Sequence, residues 1–167
     1  QSDPELSRLR LIAEAWDVSS YQLGRNFPGT SWLQWNDRFR DHVRAAVRGD
    51  RDGGAALRSR LYGSDDIFPD TLEDAYHAFQ SVNYVTCHDG FCLHDLVAYD
   101  RKHNQANGHQ NADGPLDSLS WNCGWEGEDG APSDVVALRK RQAKNFLCLL
   151  LLANGTPMLV AGDEFLN

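Results

Sequence analysis

Four short apolar runs are spaced along the chain, and each has the length of a buried β-strand. They cover residues 9–13 (LRLIA), 32–35 (WLQW), 82–87 (VNYVTC) and 156–161 (TPMLVA). The third run is rich in β-branched and aromatic residues, which favours a strand. Because the runs are apolar on both faces, we predict an α/β fold with parallel strands that are covered by helices.

Helices are predicted between the second, third and fourth runs. Asn36 or Asp37 is expected to cap a helix that extends to about Arg48. Its apolar positions keep a helical spacing, and Gly49 is suited to end it. The remaining predicted helices span residues 54–61, 93–99 and 133–153. Ser133 is expected to cap the last of them.

Polar groups directly follow three of the apolar runs. Glu14 follows the first, His88 and Asp89 follow the third, and Asp163 and Glu164 follow the fourth. Parallel strands end at one edge of their sheet, and α/β barrels carry their chemistry there. We therefore expect the carboxyl groups of Glu14 and Asp89 to face one another across one cleft. The last two acids are expected either at the rim of this cleft or as supports of the final loop.

Residues 100–132 form a long polar stretch that is dense in Asn, Gly, Asp and His. Loops longer than about 15 residues are uncommon in compact domains and are often functional. We therefore predict that this loop borders the binding site. The basic residues of the following helix are expected to form a solvent-exposed face: Arg139, Lys140, Arg141 and Lys144.

The composition is that of a globular domain. The 167 residues are 41% hydrophobic and 24% charged, with a formal net charge of -8. Domains that bind nucleic acids usually carry a basic face, so this charge argues against a nucleic-acid partner. The longest apolar run, 146–153, is far shorter than the roughly 20 residues of a membrane-spanning helix. Residues 1–5 lack the apolar segment of a signal peptide, so we expect no membrane partner.

The four cysteines show no paired spacing. Cys87, Cys92, Cys123 and Cys148 contain no CxxC motif, and we expect free thiols in a reducing, cytoplasmic compartment. A metal site around residues 87–94 is a weaker alternative, because the cysteines and histidines there lack the spacing of zinc ligands. We therefore predict no metal and no cofactor.

Several longer stretches resemble one group of glycoside hydrolases. LIAEAWD, VNYVTCHDGF and GTPMLVAGDEF are similar to three successive strand-end motifs of the α-amylase superfamily. A second set of stretches narrows the resemblance to the isoamylase and bacterial glycogen-debranching branch: NFPG, WNDRFRDHVR, CHDGFCLHDLVAY, KHNQANG, SWNCGWEG and LRKRQAKNFL. The similarity covers nearly the whole chain.

The resemblance implies a fold that comprises about strands 5 to 8, the C-terminal half, of a (β/α)8 TIM barrel. Residues 1–167 are then expected to be part of the catalytic domain, without the N-terminal half of the barrel and without the C-terminal β-domain. The family's nucleophile is an aspartate on the strand before Glu14, and no such motif is present here. We therefore expect this chain alone to be inactive and to have unpaired sheet edges that favour self-association. Leu11, Val85 and Leu159 on its strands are expected to be only partly covered.

The same resemblance assigns roles to the strand-end residues. Glu14 matches the general acid/base, Asp89 the carboxylate that stabilises the transition state, and His88 a histidine that binds sugar hydroxyls. Retaining glycosidases place the acid/base and the nucleophile roughly 5–5.5 Å apart. Burial of Glu14 beside Trp16 would favour the protonated form that donates to the leaving oxygen. Ala15 departs from the proline that family members usually carry after the catalytic glutamate.

Aromatic residues and one further histidine are additional candidates for substrate binding. Tryptophans belong more often to a core than to a ligand platform, and this applies to Trp32, Trp35 and Trp121. Trp16 adjoins the acid/base and is a candidate. Trp125, in a Gly-rich polar loop, is the best candidate to stack on a sugar ring, and His103 lies in the same loop.

The resemblance implies that the parent enzyme hydrolyses α-1,6 branch linkages of glycogen-type α-glucans, such as glycogen and limit dextrin, by a retaining mechanism. The nearest alternative is another member of the superfamily, an α-1,4 hydrolase or a branching transferase. The long loop with KHNQANG and SWNCGWEG argues against it. A non-catalytic glucan-binding module is the alternative from a different class. The presence of both Glu14 and Asp89 argues against this module, because binding alone needs no proton donor.

Overall fold

The four predicted strands form one parallel sheet. The computed structural model describes residues 3–29, 31–69 and 77–166. The strands of the sheet are β1 (Ile12–Ala13), β2 (Leu33–Asn36), β3 (Ser81–Asn83) and β4 (Thr156–Pro157). They lie side by side in the order β1-β2-β3-β4, and all three pairings are parallel, as predicted.

The strands are shorter than the apolar runs that predicted them. β3 ends at Asn83, so residues 84–87 lie beyond the paired part of the sheet. Val85 and Thr86 are nevertheless buried. The Val85 carbonyl accepts hydrogen bonds from the Arg44 side chain, and the Thr86 hydroxyl donates to the Asp163 carboxylate. Side chains, rather than a neighbouring strand, therefore fix this segment.

Helices cover the sheet at nearly the predicted positions: α1 (Asp37–Arg48), α2 (Gly53–Leu61), α3 (Leu93–Ala98) and α4 (Ser133–Leu152). Asn36 is the cap of α1, since its side chain accepts a hydrogen bond from the Phe39 amide at 2.9 Å. Gly49 ends α1 with a φ of 91°, in the left-handed region that favours glycine. The predicted Ser133 cap is wrong, because Ser133 is already the first helical residue and Pro132 precedes it.

The main core joins α1, α3 and α4 to the segment beyond β3. Its buried members are Phe39, Val43, Val85, Leu93, Leu96, Val97, Cys123, Ala143, Phe146 and Leu150. Burial of a large apolar side chain of this kind contributes roughly 1.5–3 kcal/mol. A smaller cluster contains Ala15, Leu23, Ile67 and Phe68, and it packs beside the end of β1. The two clusters therefore support the two strand ends that carry the predicted polar residues.

One face of the two central strands is polar, which corrects the prediction of strands that are apolar on both faces. Gln34, Asn36, Ser81 and Asn83 alternate along β2 and β3, and each is at most 1% exposed. Asn36 donates to the hydroxyl oxygens of Ser64 and Ser81, at 2.9 and 2.8 Å. Ser81 in turn donates to the Asn83 side chain at 2.7 Å. Buried polar groups need such partners, and the bond between Asn36 and Ser81 joins the two central strands.

β1 and β4 are the outer strands of the described sheet. Ile12 and Leu159 are 51% and 43% exposed, and Leu11 is half-buried, which matches partly covered edges. The prediction that Val85 is only partly covered is wrong, because this residue follows an inner strand and is buried in the main core. Self-association through the edges stays a prediction.

The basic residues of α4 do not share one environment. Lys140, Arg141 and Lys144 are exposed, as predicted, but Arg139 is only 6% exposed. The Arg139 guanidinium donates to the backbone carbonyls of Ala98, Asn122, Trp125 and Gly127. Arg139 therefore attaches the second half of the 100–132 loop to α4.

The four cysteines are free thiols, which confirms that prediction. Cys123 is buried in the main core, Cys148 is exposed, and Cys87 and Cys92 are half-buried. The reducing compartment stays a prediction. Among the described helices, none is both long enough and apolar enough to cross a membrane.

Candidate active site

Three polar side chains meet beyond the C-terminal ends of β1 and β3. Glu14 directly follows β1, and His88 and Asp89 follow the buried segment beyond β3. One carboxylate oxygen of Glu14, one ring nitrogen of His88 and one carboxylate oxygen of Asp89 all lie within 4.8 Å of one another. The structure therefore brings the two carboxyl groups close together, as the strand-end pattern predicted.

All three side chains are accessible. The side chains of His88 and Asp89 are 57% and 70% exposed, and Glu14 is also exposed. The predicted burial of Glu14 beside Trp16 is therefore wrong. Trp16 is half-buried and stacks on Tyr21 instead, with 6.2 Å between the ring centroids. The three side chains are therefore open to solvent at the ends of their strands.

Aromatic side chains support the segment that carries His88. The ring of Trp35, on β2, lies 5.5 Å from the His88 ring and 5.5 Å from the Tyr84 ring. The Arg40 guanidinium stands 5.8 Å from the centroid of the Tyr84 ring, within the range of a cation–π contact. Burial raises the pKa of Tyr84 above its ordinary value. The base of the cleft is thus built from rings that limit the orientations of His88.

Arg44 connects the strand end to the long loop. It is 4% exposed, and its guanidinium donates to the Val85 carbonyl at 2.9 and 2.6 Å and to the Ser118 carbonyl at 2.8 Å. Burial lowers the pKa of Arg44 to about 10, because the charged form loses its hydration. These carbonyls offset part of that cost. Arg44 therefore holds the loop against the segment that leads to His88 and Asp89.

Asp163 supports the same segment from the turn that follows β4. It is 3% exposed, and its carboxylate accepts hydrogen bonds from the Thr86 hydroxyl and from the backbone amides of Leu93 and Val160, both at 3.3 Å. Of the two roles that the sequence left open, the structure assigns Asp163 to loop support. Glu164 is exposed and accepts from the Gly162 amide at 2.9 Å.

Two hollows lie where the long loop meets Asp89. The first, which we call the Asp89 hollow, has a volume of about 520 Å³ and includes Asp89 and Arg44 in its wall. The second, the Tyr99 hollow, has a volume of about 290 Å³ and includes Tyr99 and His103. The residues common to both walls are Gly90, Gly114, Pro115 and Ser118. The 100–132 loop therefore borders the candidate site, as predicted.

The two predicted sugar-binding residues of the loop occupy different places. His103 lines the Tyr99 hollow, with its Nε2 atom 2.8 Å from a carboxylate oxygen of Glu126. Trp125 is 40% exposed, but its indole N–H donates to the Asp129 carbonyl at 3.1 Å. Neither of these two hollows has Trp125 in its wall. The geometry supports His103 as a candidate more than it supports Trp125.

Glu126 organises the loop around His103, and the sequence did not single it out. Its carboxylate accepts hydrogen bonds from the amides of Asp100 and Arg101, at 2.8 and 3.3 Å, and from the Asn122 side chain at 3.0 Å. Burial opposes ionisation, but the hydrogen bonds from these groups and from His103 outweigh it and lower the pKa of Glu126 to about 2. No sequence pattern distinguishes an acid that organises a polar loop from the other acidic residues in that loop.

We expect the ionised Glu126 carboxylate to stabilise the loop. The pKa rises from about 2 in the folded protein to an ordinary value of 4.5 when the loop unfolds, so the contribution is complete above pH 4.5 and is lost as the pH falls towards 2. Glu126→Gln should therefore increase hydrogen exchange of the Asp100 and Arg101 amides at pH 7. The difference from the wild type should vanish near pH 2. Because the carboxylate is near the surface, the substitution should lower the free energy of local unfolding of the loop by about 1 kcal/mol or less.

Glu5→Gln is the matched control, because Glu5 is an exposed glutamate far along the chain from the loop. Equal exchange of the Asp100 and Arg101 amides in wild type and Glu126→Gln at pH 7 would contradict the role of Glu126.

Glu14, His88 and Asp89 are also spaced closely enough to hold a metal ion. The weaker zinc alternative around residues 87–94 is not supported within the described part of the chain. His94 contacts the carboxylates of Glu128 and Asp95 instead, at 2.9 and 3.3 Å. The absence of a resident metal stays a prediction.

Known proteins match this chain along nearly its whole length. No family model matches. The chain is 48% identical over 166 residues to the glycogen operon protein GlgX homolog of Mycobacterium tuberculosis. It is 43% identical over 164 residues to isoamylase 3 of Oryza sativa, and 45% identical over 166 residues to the glycogen debranching enzyme of Erwinia tasmaniensis. Each match covers 98% of this chain.

The chain is a relative of the isoamylase and glycogen-debranching proteins. This confirms the resemblance that the motifs indicated. The chain spans 20–24% of the length of these three relatives. The Oryza relative is named as chloroplastic, so the cytoplasmic location of this protein stays a prediction.

Proposed function

We propose that the protein to which this chain belongs is a glycoside hydrolase that cleaves α-1,6 branch linkages in glycogen-type α-glucans. One observation carries the proposal: Glu14, His88 and Asp89 converge within 4.8 Å in a chain that is 42–48% identical to isoamylases and GlgX homologs. The names of the relatives support the substrate class. The convergence of two carboxyl groups and an imidazole supports acid–base chemistry.

Each of the three residues has a proposed part in the reaction. Glu14 donates a proton to the glycosidic oxygen and later takes one from water, as a general acid/base. Asp89 orients sugar hydroxyls and stabilises the positive charge of the oxocarbenium-like transition state. His88 hydrogen-bonds a hydroxyl of the same sugar. A retaining reaction also needs a nucleophilic carboxylate on the opposite face of the sugar, which the family supplies from the preceding strand.

The four strands are proposed to be strands 5 to 8 of a (β/α)8 barrel. Their parallel order, the helices that cover them and the position of the site at their C-terminal ends support this arrangement. β1 and β4 are the outer strands of the described sheet, so their outer edges are suited to pair with further strands of such a barrel. Residues 1–167 are then part of the catalytic domain.

The linkage is tested by incubating the full-length protein with glycogen, pullulan and amylose. We expect release of linear chains from glycogen and no cleavage of amylose, which contains only α-1,4 linkages. Cleavage of amylose would identify an α-1,4 hydrolase instead. Transfer of chains without new reducing ends would identify a branching transferase, and binding without any turnover would identify a glucan-binding module.

A further inference from the structure

We propose that the Tyr99 hollow is a second glucan subsite, in which one sugar unit packs against Tyr99 and hydrogen-bonds to His103 and Asn104. The inference rests on the proposed function, because the glucan substrate supplies the ligand class. It adds a binding position to the cleft that holds Glu14 and Asp89.

The Tyr99 hollow continues directly from the candidate active site. Gly90 follows Asp89 in the chain and lines both hollows, together with Gly114, Pro115 and Ser118 of the loop. A glucan with one unit beside Asp89 would therefore lie next to a wall that the Tyr99 hollow shares.

The wall of the hollow combines aromatic rings with polar groups, which are the two kinds of group that a sugar ring contacts. The Phe91 and Tyr99 rings lie 6.4 Å apart, and the Tyr99 and His103 rings lie 5.4 Å apart. Asn104 adds an amide to the lining. Small-molecule sites typically combine aromatic walls with a few polar groups and have volumes of about 300–1,000 Å³. The volume of about 290 Å³ suits a ligand portion the size of one sugar unit.

The wall of the hollow carries groups of both charge signs, which suits a ligand that both donates and accepts hydrogen bonds. Lys102 already donates to two backbone carbonyls of the loop, at 2.9 and 3.2 Å. His103 is held by the Glu126 carboxylate, and the Asp95 carboxylate also lines the hollow. Arg101 also lines the hollow, so a phosphate would meet this cation together with the Asp95 carboxylate that repels it. Sugar hydroxyls can both donate to these carboxylates and accept from the imidazole and amide groups.

Hydrogen bonds inside the loop shape the hollow before a ligand arrives. The Asn104 backbone N–H donates to the Asn111 side chain at 2.8 Å. The Asn111 side chain in turn donates to the Lys102 carbonyl at 3.1 Å. The Asn107 side chain donates to the Asp113 carboxylate at 2.8 Å. A loop that is already ordered loses less conformational freedom on binding, which favours affinity.

The test compares KM for a long branched glucan with KM for a short branched oligosaccharide, using the full-length protein. Tyr99→Ala is expected to raise KM for the long glucan about tenfold more than KM for the short one, which corresponds to about 1.4 kcal/mol of binding. Tyr99→Phe keeps the ring and should restore the wild-type ratio. Tyr62→Ala is the matched control, since Tyr62 is a 71% exposed tyrosine at the end of α2.

The outcomes separate this inference from the proposed function. An equal ratio of the two KM values in wild type and Tyr99→Ala would overturn the subsite. Wild-type protein that cleaves neither substrate would refute the proposed function instead. In that case, calorimetric titration with a linear malto-oligosaccharide tests whether the Tyr99 hollow binds a glucan. Binding to wild type and Tyr99→Phe but about tenfold weaker binding to folded Tyr99→Ala would support it. Equal binding to all three, or displacement of the sugar by inorganic phosphate, would overturn it.

Discussion

In the full-length protein, Glu14→Gln is expected to lower kcat by roughly 10²–10⁴-fold, the usual contribution of general acid–base catalysis. Glutamine has the shape of glutamate but cannot donate a proton to the glycosidic oxygen. Glu14 is exposed, so the substitution should change the free energy of unfolding by less than about 0.5 kcal/mol. KM should change little, because the lost interaction acts in the transition state.

Glu5→Gln provides the matched control, since Glu5 is also exposed but lies before β1. It should keep the wild-type kcat and KM. A substrate with an activated leaving group that needs no protonation should recover part of the rate of Glu14→Gln. A kcat of Glu14→Gln close to that of the wild type would rule out the acid/base role.

The second large effect is expected from Arg44→Ala, which should lower local stability around α1 and the 84–89 segment by about 3 kcal/mol. The substitution leaves the carbonyls of Val85 and Ser118 buried without the guanidinium that now binds them. Ser118 also precedes Leu119, whose φ of 51° is strained for a leucine and persists only while the surroundings hold it. Loss of Arg44 should therefore loosen both the loop and the strand end.

Native-state hydrogen exchange measures this effect locally, which matters because a protein with several domains does not unfold in one step. Arg58→Ala is the control, because Arg58 is exposed on α2. Arg44→Lys should be intermediate, since one ammonium group cannot reproduce the forked geometry of a guanidinium. Equal protection of the amides of α1 and residues 84–89 from hydrogen exchange in Arg44→Ala and Arg58→Ala would contradict the structural role of Arg44.

Helices were predicted better than strands because helical signals are local. The Asn36 cap and the Gly49 stop of α1 both act within a few residues of the sequence. A strand instead needs a partner in register, and the sequence does not show where that partner ends. Residues 84–87 have the composition of a strand, but contacts with Arg44 and Asp163 fix part of this segment instead of a β-ladder.

The position of Glu14, His88 and Asp89 after predicted strands correctly indicated that they lie close together, because parallel strands end at one edge of a sheet. The sequence position could not show that Glu14 is exposed, since exposure depends on what packs above the strand end. The buried roles of Arg44 and Arg139 were also missed. A basic residue on an amphipathic helix produces the same sequence pattern whether it faces water or binds backbone carbonyls.

Proton NMR of glycogen during its reaction with the full-length protein tests the central claim most directly, because it follows both the linkage and the configuration of the product. We expect the anomeric signal of the α-1,6 linkages to decay and the new reducing ends to appear first as α anomers, as a retaining mechanism requires. The Glu14→Gln variant should show almost no decay over the same period. First appearance of β anomers, or loss of α-1,4 signals while the α-1,6 signal persists, would contradict the account.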